Sequence, residues 1–146
     1  MDINTIDNID KTVSQFAKAD NGKLQISLVP MQINKDIAEV RMYGTNKYNS
    51  PNNWVIIEMQ RYVDALLRHL IAFIEDNNSV DEESGIPHYK HAATNMSFIC
   101  EMMREDWPKR RDSLIKSDPS LQERIEELAK KAGKITVSSE LGKEGK

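Results

Sequence analysis

The clearest pattern of apolar and polar positions lies between residues 55 and 75. On a helical wheel of about 100° per residue, large apolar side chains fill one half of this segment. They are Tyr62, Val63, Leu66, Leu67, Leu70, Ile71, Phe73 and Ile74. Polar groups, Arg61, Asp64, Arg68 and His69, fill the other half. The pattern predicts a long amphipathic helix over 55–75.

A second helix is predicted from Pro87 to about Arg104. Proline suits a first-turn position, where its missing N–H costs nothing. The apolar stripe is Tyr89, Ala92, Met96, Ile99 and Met103, and His88, His91 and Asn95 follow its edge. Between the two helices lies the acidic segment "DNNSVDEESGIP", so we expect an antiparallel hairpin joined by a loop.

The N-terminal third is less regular. Residues 3–19 carry a weak amphipathic pattern, and "KLQISLVP" (23–30) alternates like a short extended segment stopped by proline. A helix is predicted over 31–43. The stretch 44–54, "GTNKYNSPNNW", has turn composition and predicts a long loop, a kind of loop that is often functional.

The C-terminal third predicts a short helix, a break at Asp118–Pro119, and a helix ended by Gly133. The chain is therefore expected to be mostly α, a small helical bundle around a central antiparallel hairpin. Its expected divisions are an N-terminal helix (1–20), a helical core (21–104), C-terminal helices (105–133) and a flexible tail (134–146).

Composition narrows the class of protein. A chain of 146 residues is most simply one domain, and its net charge of −3 argues against binding a nucleic-acid polymer. No run of about 18 apolar residues is present, and the N-terminus lacks a signal-peptide pattern, so no membrane association is expected. Cys100, the single cysteine, falls on the apolar stripe and is expected to be a buried, inert thiol. These features predict a cytoplasmic protein.

The predicted hairpin would bring polar and ionisable side chains together at the end where its loop lies. Polar groups of the first helix, the loop carboxylates Asp81, Glu82 and Glu83, and the edge residues of the second helix would converge there. Such groups can hold a divalent ion while arginines bind phosphate oxygens. P-loop, GxGxxG, HExxH and CxxC motifs are absent, which removes the commonest kinase, dehydrogenase and zinc-protease classes.

Each element also has an ordinary structural interpretation. Asp64 and Arg68, four residues apart, match a surface ion pair. Histidines on a helix edge are more often structural than ligands, and "DEESG" matches a solvated turn or helix cap. Trp54 and Tyr48 suit stacking on a base, but an aromatic residue after a loop is usually part of the core.

Four ordered blocks carry a resemblance that covers roughly residues 22–103: "KLQISLVP", "YGTNKYNSPNNW", "RYVDALLRHLIAFIE" and "DEESGIPHYKHAATNMSFI". Together they resemble the phage dATP/dGTP diphosphohydrolases, a family related to the MazG-like all-α NTP pyrophosphohydrolases. The residues that match the family's pattern are Lys23, Gly44, Lys47, Tyr48, Asn53, Trp54, Arg61, Arg68, His69, Asp81, Glu83, Ser84, Gly85, His88, His91 and Asn95.

The resemblance implies a helical, oligomeric, metal-dependent enzyme that cleaves a purine dNTP to its monophosphate and diphosphate in the host cytoplasm. By the same resemblance, Glu83 and Asp64 are the catalytic carboxylates. Metal ligands are expected among Asp64, Asp81, Glu83, His88 and His91. Nucleotide and phosphate binding is assigned to Lys47, Tyr48, Asn53, Trp54, Arg61, Arg68, His69 and Asn95. Magnesium prefers oxygen ligands whereas imidazole suits manganese or zinc, so the two later histidines either bind a softer ion or donate to phosphate.

Two other functions stay open at this stage. Many relatives are expected to carry Gly-Glu where this chain has Asn77-Asn78. Loss of that acid suggests a protein that binds and sequesters a host signalling nucleotide without cutting it. A helical structural or regulatory protein with no small ligand is the third interpretation.

Overall fold

The computed structural model describes the backbone of residues 10–144 and the side chains of residues 10–133. Within that range the chain is helical, with two 3-10 turns, Ile26–Leu28 and Asn53–Ile56, and one isolated β-bridge between Val80 and Pro87. The helices are α1 (Lys11–Ala17), α2 (Gln32–Tyr48), α3 (Met59–Glu75), α4 (His88–Met102), α5 (Trp107–Ser117) and α6 (Pro119–Glu144). The prediction of a mostly α protein is confirmed. None of the described helices is long and apolar enough to cross a membrane.

The chain divides into two compact units, residues 1–30 and 31–146. In the first, α1 begins after Asp10, whose side chain accepts a hydrogen bond from the backbone N–H of Thr12 at 2.8 Å. The predicted helix began at residue 3, but residues 1–9 lie outside the described part of the chain.

The extended segment predicted over 23–30 is wrong at Ile26–Leu28, which forms a 3-10 turn. The N–H of Leu28 donates to the carbonyl of Gln25, and that of Val29 to Ile26, both at 3.1 Å. A strand needs a neighbouring strand to satisfy its backbone groups. Residues 10–144 supply none, so local bonds take that role.

The second unit is built on the hairpin of α3 and α4, as predicted. The connection between them closes through an antiparallel bridge, with the N–H of Asp81 donating to the carbonyl of Ile86 at 2.9 Å. Gly85 sits inside this turn with a φ of +70°, a backbone conformation that side chains disfavour. α4 also packs against α2, where Lys90 bonds Glu39 at 2.7 Å. The turn therefore brings Asp81 next to the start of α4.

Two predicted boundaries in this unit are wrong. α2 does not end at residue 43 but continues to Tyr48 and stops at Asn49, whose φ is +53°. The predicted loop over 44–54 is thus mostly helix and 3-10 turn, and α3 begins at Met59 rather than residue 55. Contacts outweigh the poor helix propensity of Gly44, because the extra turn brings Lys47 into an ion pair with Glu83.

α4 agrees closely with its predicted range, although Pro87 is the N-cap rather than a first-turn residue. The prediction of a buried Cys100 is wrong, because its side chain is exposed. Thr94 and Asn95 are the buried residues of α4. Cys100 lies five residues after Asn95, about 140° around the helix, and so faces away from the buried side.

The C-terminal helices break at Asp118, as predicted. α6 passes Gly133 and reaches Glu144, so the predicted helix end at Gly133 is wrong. A glycine ends a helix by adopting positive φ, and among the described glycines only Gly22 and Gly85 do so. Helix therefore covers most of the segment predicted to be a tail, and the mobility of that segment stays a prediction. Leu121 of α6 is fully buried.

Candidate functional site

A cleft of about 550 Å³ opens between α2, α3, α4 and the 3-10 turn Asn53–Ile56. Twelve of the thirteen residues that the sequence assigned to the site line it. They are Lys47, Tyr48, Asn53, Trp54, Arg61, Asp64, Arg68, His69, Asp81, Glu83, His91 and Asn95. His88 is the exception and lies just behind, against His69. The roles assigned to these residues stay predictions.

One side of the cleft is cationic. Arg61 and Arg68, two helical turns apart on α3, are exposed and line the cleft. Asp64 lies between them and accepts a hydrogen bond from Gln60 at 3.1 Å. The surface ion pair between Asp64 and Arg68 suggested by their spacing does not form within residues 10–133. Both guanidinium groups are therefore available to an anion in the cleft.

Sequence reasoning missed a further cation, Arg41 of α2. Its guanidinium lies over the Phe98 ring at 5.1 Å, donates to the Pro51 carbonyl, and lines the cleft. Burial lowers its pKa, and it forms no ion pair with the other described side chains. In the sequence, Arg41 is marked only by directly following Val40, an apolar residue that the structure places in the core. A partly buried cation without a carboxylate partner favours an anionic ligand.

Lys47 and Glu83 join the end of α2 to the α3–α4 connection. Their side chains form an ion pair at 2.5 Å. This hydrogen bond raises the pKa of Lys47 and lowers that of Glu83, so both groups are charged at neutral pH. Glu83, predicted as a catalytic and metal-binding carboxylate, is thus engaged by a lysine predicted to bind phosphate.

Three side chains form a potential metal-binding group: His69, Asp81 and His88, whose ligand atoms lie within 4.8 Å of one another. The sequence assigned His69 to nucleotide instead. The Nδ1 atoms of His69 and His88 are 2.8 Å apart. At that distance one ring nitrogen donates a hydrogen bond to the other. Two nitrogens bound tetrahedrally to one ion at about 2.05 Å would be about 3.3 Å apart, so a small separation of the rings would let both bind the same ion. The predicted ligands Asp64, Glu83 and His91 lie outside this group.

The protonation states suit metal binding. Burial, assisted by the neighbouring His91 and His88, lowers the pKa of His69 to about 4, which leaves its imidazole neutral at pH 7. Burial acts to raise the pKa of Asp81, but hydrogen bonds from the Ser84 backbone and hydroxyl outweigh it and the pKa is lowered. A neutral imidazole and an ionised carboxylate are the forms that ligate metals.

A short hydrogen-bond chain orients Asp81 and His91. Asp81 Oδ2 accepts from the Ser84 N–H at 2.9 Å and from its hydroxyl at 2.8 Å. The hydroxyl has a single proton, so Ser84 Oγ must accept from His91 Nε2, which lies 2.8 Å away. His91 therefore carries its proton on Nε2, and its ring stacks on His69 with centroids 4.6 Å apart. The chain leaves Oδ1 of Asp81 free of these bonds.

The aromatic residues divide between packing and lining. Trp54 stacks with Phe98 at 5.0 Å and with Trp107 at 5.4 Å, which makes it a packing residue whose remaining surface reaches the cleft. The Tyr48 ring lies near two cations, Lys47 Nζ at 5.2 Å and the Arg124 guanidinium at 5.8 Å. Stacking of either ring on a base stays a prediction.

Two buried asparagines complete the lining, Asn53 and Asn95. Asn53 Oδ1 accepts from Arg124 Nε at 3.3 Å, and Asn95 Nδ2 donates to the His91 carbonyl at 2.8 Å. Their amide groups thus face the cleft with opposite character. Asn53 has its NH₂ group left to donate, whereas Asn95 has its carbonyl oxygen left to accept.

Comparison with known proteins places these features in context. A family model described as "dATP/dGTP diphosphohydrolase, N-terminal" matches residues 14–111. A Salmonella phage PMBT28 protein named dATP/dGTP diphosphohydrolase is 35% identical over 82 residues, which are 56% of this chain and 28% of that protein. The chain thus matches less than a third of the length of that relative. No solved structure matches.

Proposed function

Because the chain belongs to the dATP/dGTP diphosphohydrolase N-terminal family, we propose that its cleft binds a purine deoxynucleoside triphosphate and hydrolyses it with a divalent metal. The products would be the deoxynucleoside monophosphate and diphosphate. One observation carries the proposal: a single cleft combines unpaired arginines with a His–Asp group beside them.

The cationic groups suit a triphosphate. Arg61 and Arg68 have no carboxylate partner among the described residues, and Arg41 adds a third unpaired guanidinium. Guanidinium groups bind phosphate oxygens in a bidentate way, and a polyanion compensates several cations at once. Lys47 is expected to bind phosphate when it leaves Glu83.

The residues present also fit a divalent ion. His69, Asp81 and His88 offer two imidazoles and one carboxylate, a set that suits manganese or zinc better than magnesium. An ion bound there would neutralise charge on the phosphates and lower the pKa of a coordinated water.

The hydrolysis itself needs a nucleophile, a proton acceptor and a leaving group. A water oxygen would attack the α-phosphorus. The bond between that phosphorus and the oxygen bridging it to the β-phosphorus would break, and diphosphate would leave. We assign the proton from the water to Glu83 or Asp64, both ionisable groups of the cleft. Asn53 and Asn95, with opposite hydrogen-bonding character, would orient the nucleotide, and Tyr48 or Trp54 would contact the base.

The direct test is product analysis. Purified protein is incubated with each dNTP and with Mg²⁺, Mn²⁺ or Zn²⁺, and products are separated by ion-exchange chromatography. We expect monophosphate and diphosphate in equal amounts from dATP and dGTP. Asp81→Asn should lose metal-dependent activity, whereas Glu82→Gln, an exposed neighbour that does not line the cleft, is the matched control. Absence of monophosphate with every metal would contradict hydrolysis.

Sequestration without hydrolysis is the second candidate. It is favoured because the potential metal group contains a single carboxylate, while Glu83 is held by Lys47. Its signature would be an intact nucleotide released by heat denaturation, with no turnover beforehand. Nucleotide binding of either kind should raise the melting temperature. Failure of every nucleotide to do so would leave only the ligand-free interpretation.

We further propose that the protein is a homo-oligomer. Apolar side chains along α3 remain exposed, including Leu67, Leu70, Ile71 and Ile74, and Met96 is exposed on α4. Soluble monomers rarely leave a contiguous apolar surface of this kind uncovered. A second copy of the same face would bury it.

A further inference from the structure

The wall of the cleft formed by residues 48–53 is held in place by the first turns of α6. Asp118 accepts a hydrogen bond from Asn52 Nδ2 at 2.7 Å. The Ser50 hydroxyl donates to the Ser120 hydroxyl oxygen at 3.3 Å, because Ser120 gives its own proton to Asp118 Oδ1 at 2.6 Å. Arg124 donates from Nε to Asn53 Oδ1 at 3.3 Å. These contacts with the wall join positions 66 to 71 residues apart in the chain. α6 lies beyond residue 111, where the family match ends.

The contact with Arg124 determines which end of the Asn53 amide faces the cleft. Arginine has only donors, so the group that meets its Nε must be the amide oxygen rather than the NH₂ group. Asn53 is 6% exposed and lines the cleft. No described residue accepts a hydrogen bond from its NH₂ group, and no buried side-chain nitrogen or oxygen in the described part of the chain lacks a partner. The NH₂ group therefore reaches the open space of the cleft.

Arg124 is itself held in position. Its Nη1 lies 3.7 Å from Glu127 Oε2 one turn later, and its guanidinium lies over the Tyr48 ring at 5.8 Å. Arg124 does not line the cleft. Its effect on a ligand must therefore pass through a residue that does line the cleft, and Asn53 is the lining residue to which it donates a hydrogen bond.

From this geometry we infer that Arg124 is a positioning residue that turns Asn53 into an obligate hydrogen-bond donor toward the bound nucleotide. The ligand atom that it selects is an acceptor, either a purine ring nitrogen or a phosphate oxygen. This inference rests on the proposed function for the ligand, but the orientation of Asn53 is a property of the protein alone. The C-terminal helix thereby takes part in binding although it lies outside the family match.

The experiment compares Arg124→Met, which removes the donor but keeps a long side chain, with Arg124→Lys, which keeps a donor. Arg110→Met is the matched control, because Arg110 pairs with Glu101 and does not line the cleft. The first readout is the side-chain amide NMR signal of Asn53, assigned from its absence in Asn53→Ala. We expect that signal to shift in Arg124→Met, to be restored in Arg124→Lys, and to be unchanged in Arg110→Met.

The second readout is binding of α,β-methylene-dATP, whose bridging bond is not cleaved, measured by calorimetry with Mn²⁺. Arg124→Met should weaken binding roughly five- to tenfold, the effect of one neutral hydrogen bond. The double variant with Asn53→Ala should bind no more weakly than Asn53→Ala alone, since both changes remove one interaction. A 7-deaza analogue and inorganic tripolyphosphate distinguish a ring nitrogen from a phosphate oxygen as the acceptor.

The outcomes separate this inference from the proposed function. A shifted Asn53 signal together with a non-additive loss of affinity supports it. A shifted signal in a protein that binds no nucleotide supports the positioning role while removing the proposed function. An unshifted signal in Arg124→Met overturns the inference, and so do independent, additive losses in the double variant.

Discussion

Asp118 caps α6, and replacing it with alanine should destabilise the protein measurably. Its Oδ1 accepts from the backbone N–H groups of Ser120 and Leu121 at 3.0 and 3.2 Å, and Oδ2 accepts from Asn52 at 2.7 Å. Loss of an N-cap side chain costs about 1 kcal/mol. The bond from Asn52 to a partly exposed carboxylate adds about another 1 kcal/mol. We therefore expect Asp118→Ala to lower the free energy of unfolding by about 2 kcal/mol.

Urea denaturation followed by circular dichroism measures this difference. If the free energy of unfolding falls with urea concentration at the same slope in both proteins, only the stability has changed. Asp118→Asn should lower the free energy of unfolding by about half as much. Asparagine caps a helix as well as aspartate does, but the hydrogen bond from Asn52 is lost or its place is taken by an opposing NH₂ group. Asp112→Ala, an exposed position on α5, is the control and should change stability by less than about 0.5 kcal/mol.

The same residue gives a pH dependence whose sign follows from its pKa. Hydrogen bonds from Ser120 and Asn52 lower the pKa of Asp118 below its ordinary value of 3.8. A lowered carboxyl pKa contributes stability above the unfolded-state value, and that contribution disappears as the pH falls through the folded-state value. The difference between wild type and Asp118→Ala should therefore shrink below about pH 4. Equal stability of the two proteins at pH 7 would refute the capping role.

Three further outcomes are expected. Leu121→Ala, at a fully buried position, should cost about 2–5 kcal/mol in urea denaturation, whereas Met103→Ala at an exposed position should cost little. Folding lowers the pKa of His69 from 6.5 to about 4, so between those pH values the unfolded chain binds more protons than the folded one. The free energy of unfolding of the metal-free protein should therefore decrease as the pH falls from 6.5 toward 4. A His69→Gln variant whose stability depends on pH equally steeply would contradict this. Ile74→Glu, at a side chain that is 69% exposed, should dissociate the proposed oligomer in light-scattering measurements, and an unchanged mass would argue against that face.

The sequence predicted the hairpin from an apolar half-wheel over 55–75 and an apolar stripe after Pro87, each typical of an amphipathic helix. The two helices do pack together, but much of that apolar surface stays exposed, and their buried residues are Tyr62, Thr94 and Asn95. The polar edges nevertheless meet, because Arg61, Arg68, His69 and His91 line one cleft. The family resemblance supplied the residues of the 47–54 stretch, which periodicity alone would have left as a loop.

Local propensity misled at several boundaries. Gly44 and Asn46 suggested a loop, but the helix continues because Lys47 reaches Glu83. Gly133 suggested a helix end, but a glycine has this effect only when its backbone adopts positive φ. Cys100 was placed on the buried side because Met96 and Met103 were read as core, whereas all three are exposed.

What the sequence alone determined is the helical hairpin and the set of ionisable groups near its turn, since both depend on spacing within one segment. The tertiary structure decided which of those groups meet: His69 with His88, Lys47 with Glu83, and Arg124 with Asn53. These pairs join residues 19 to 71 positions apart. No local pattern fixes such a contact. It depends on how whole helices pack, and on which polar groups that packing removes from solvent and leaves in need of a hydrogen-bond partner.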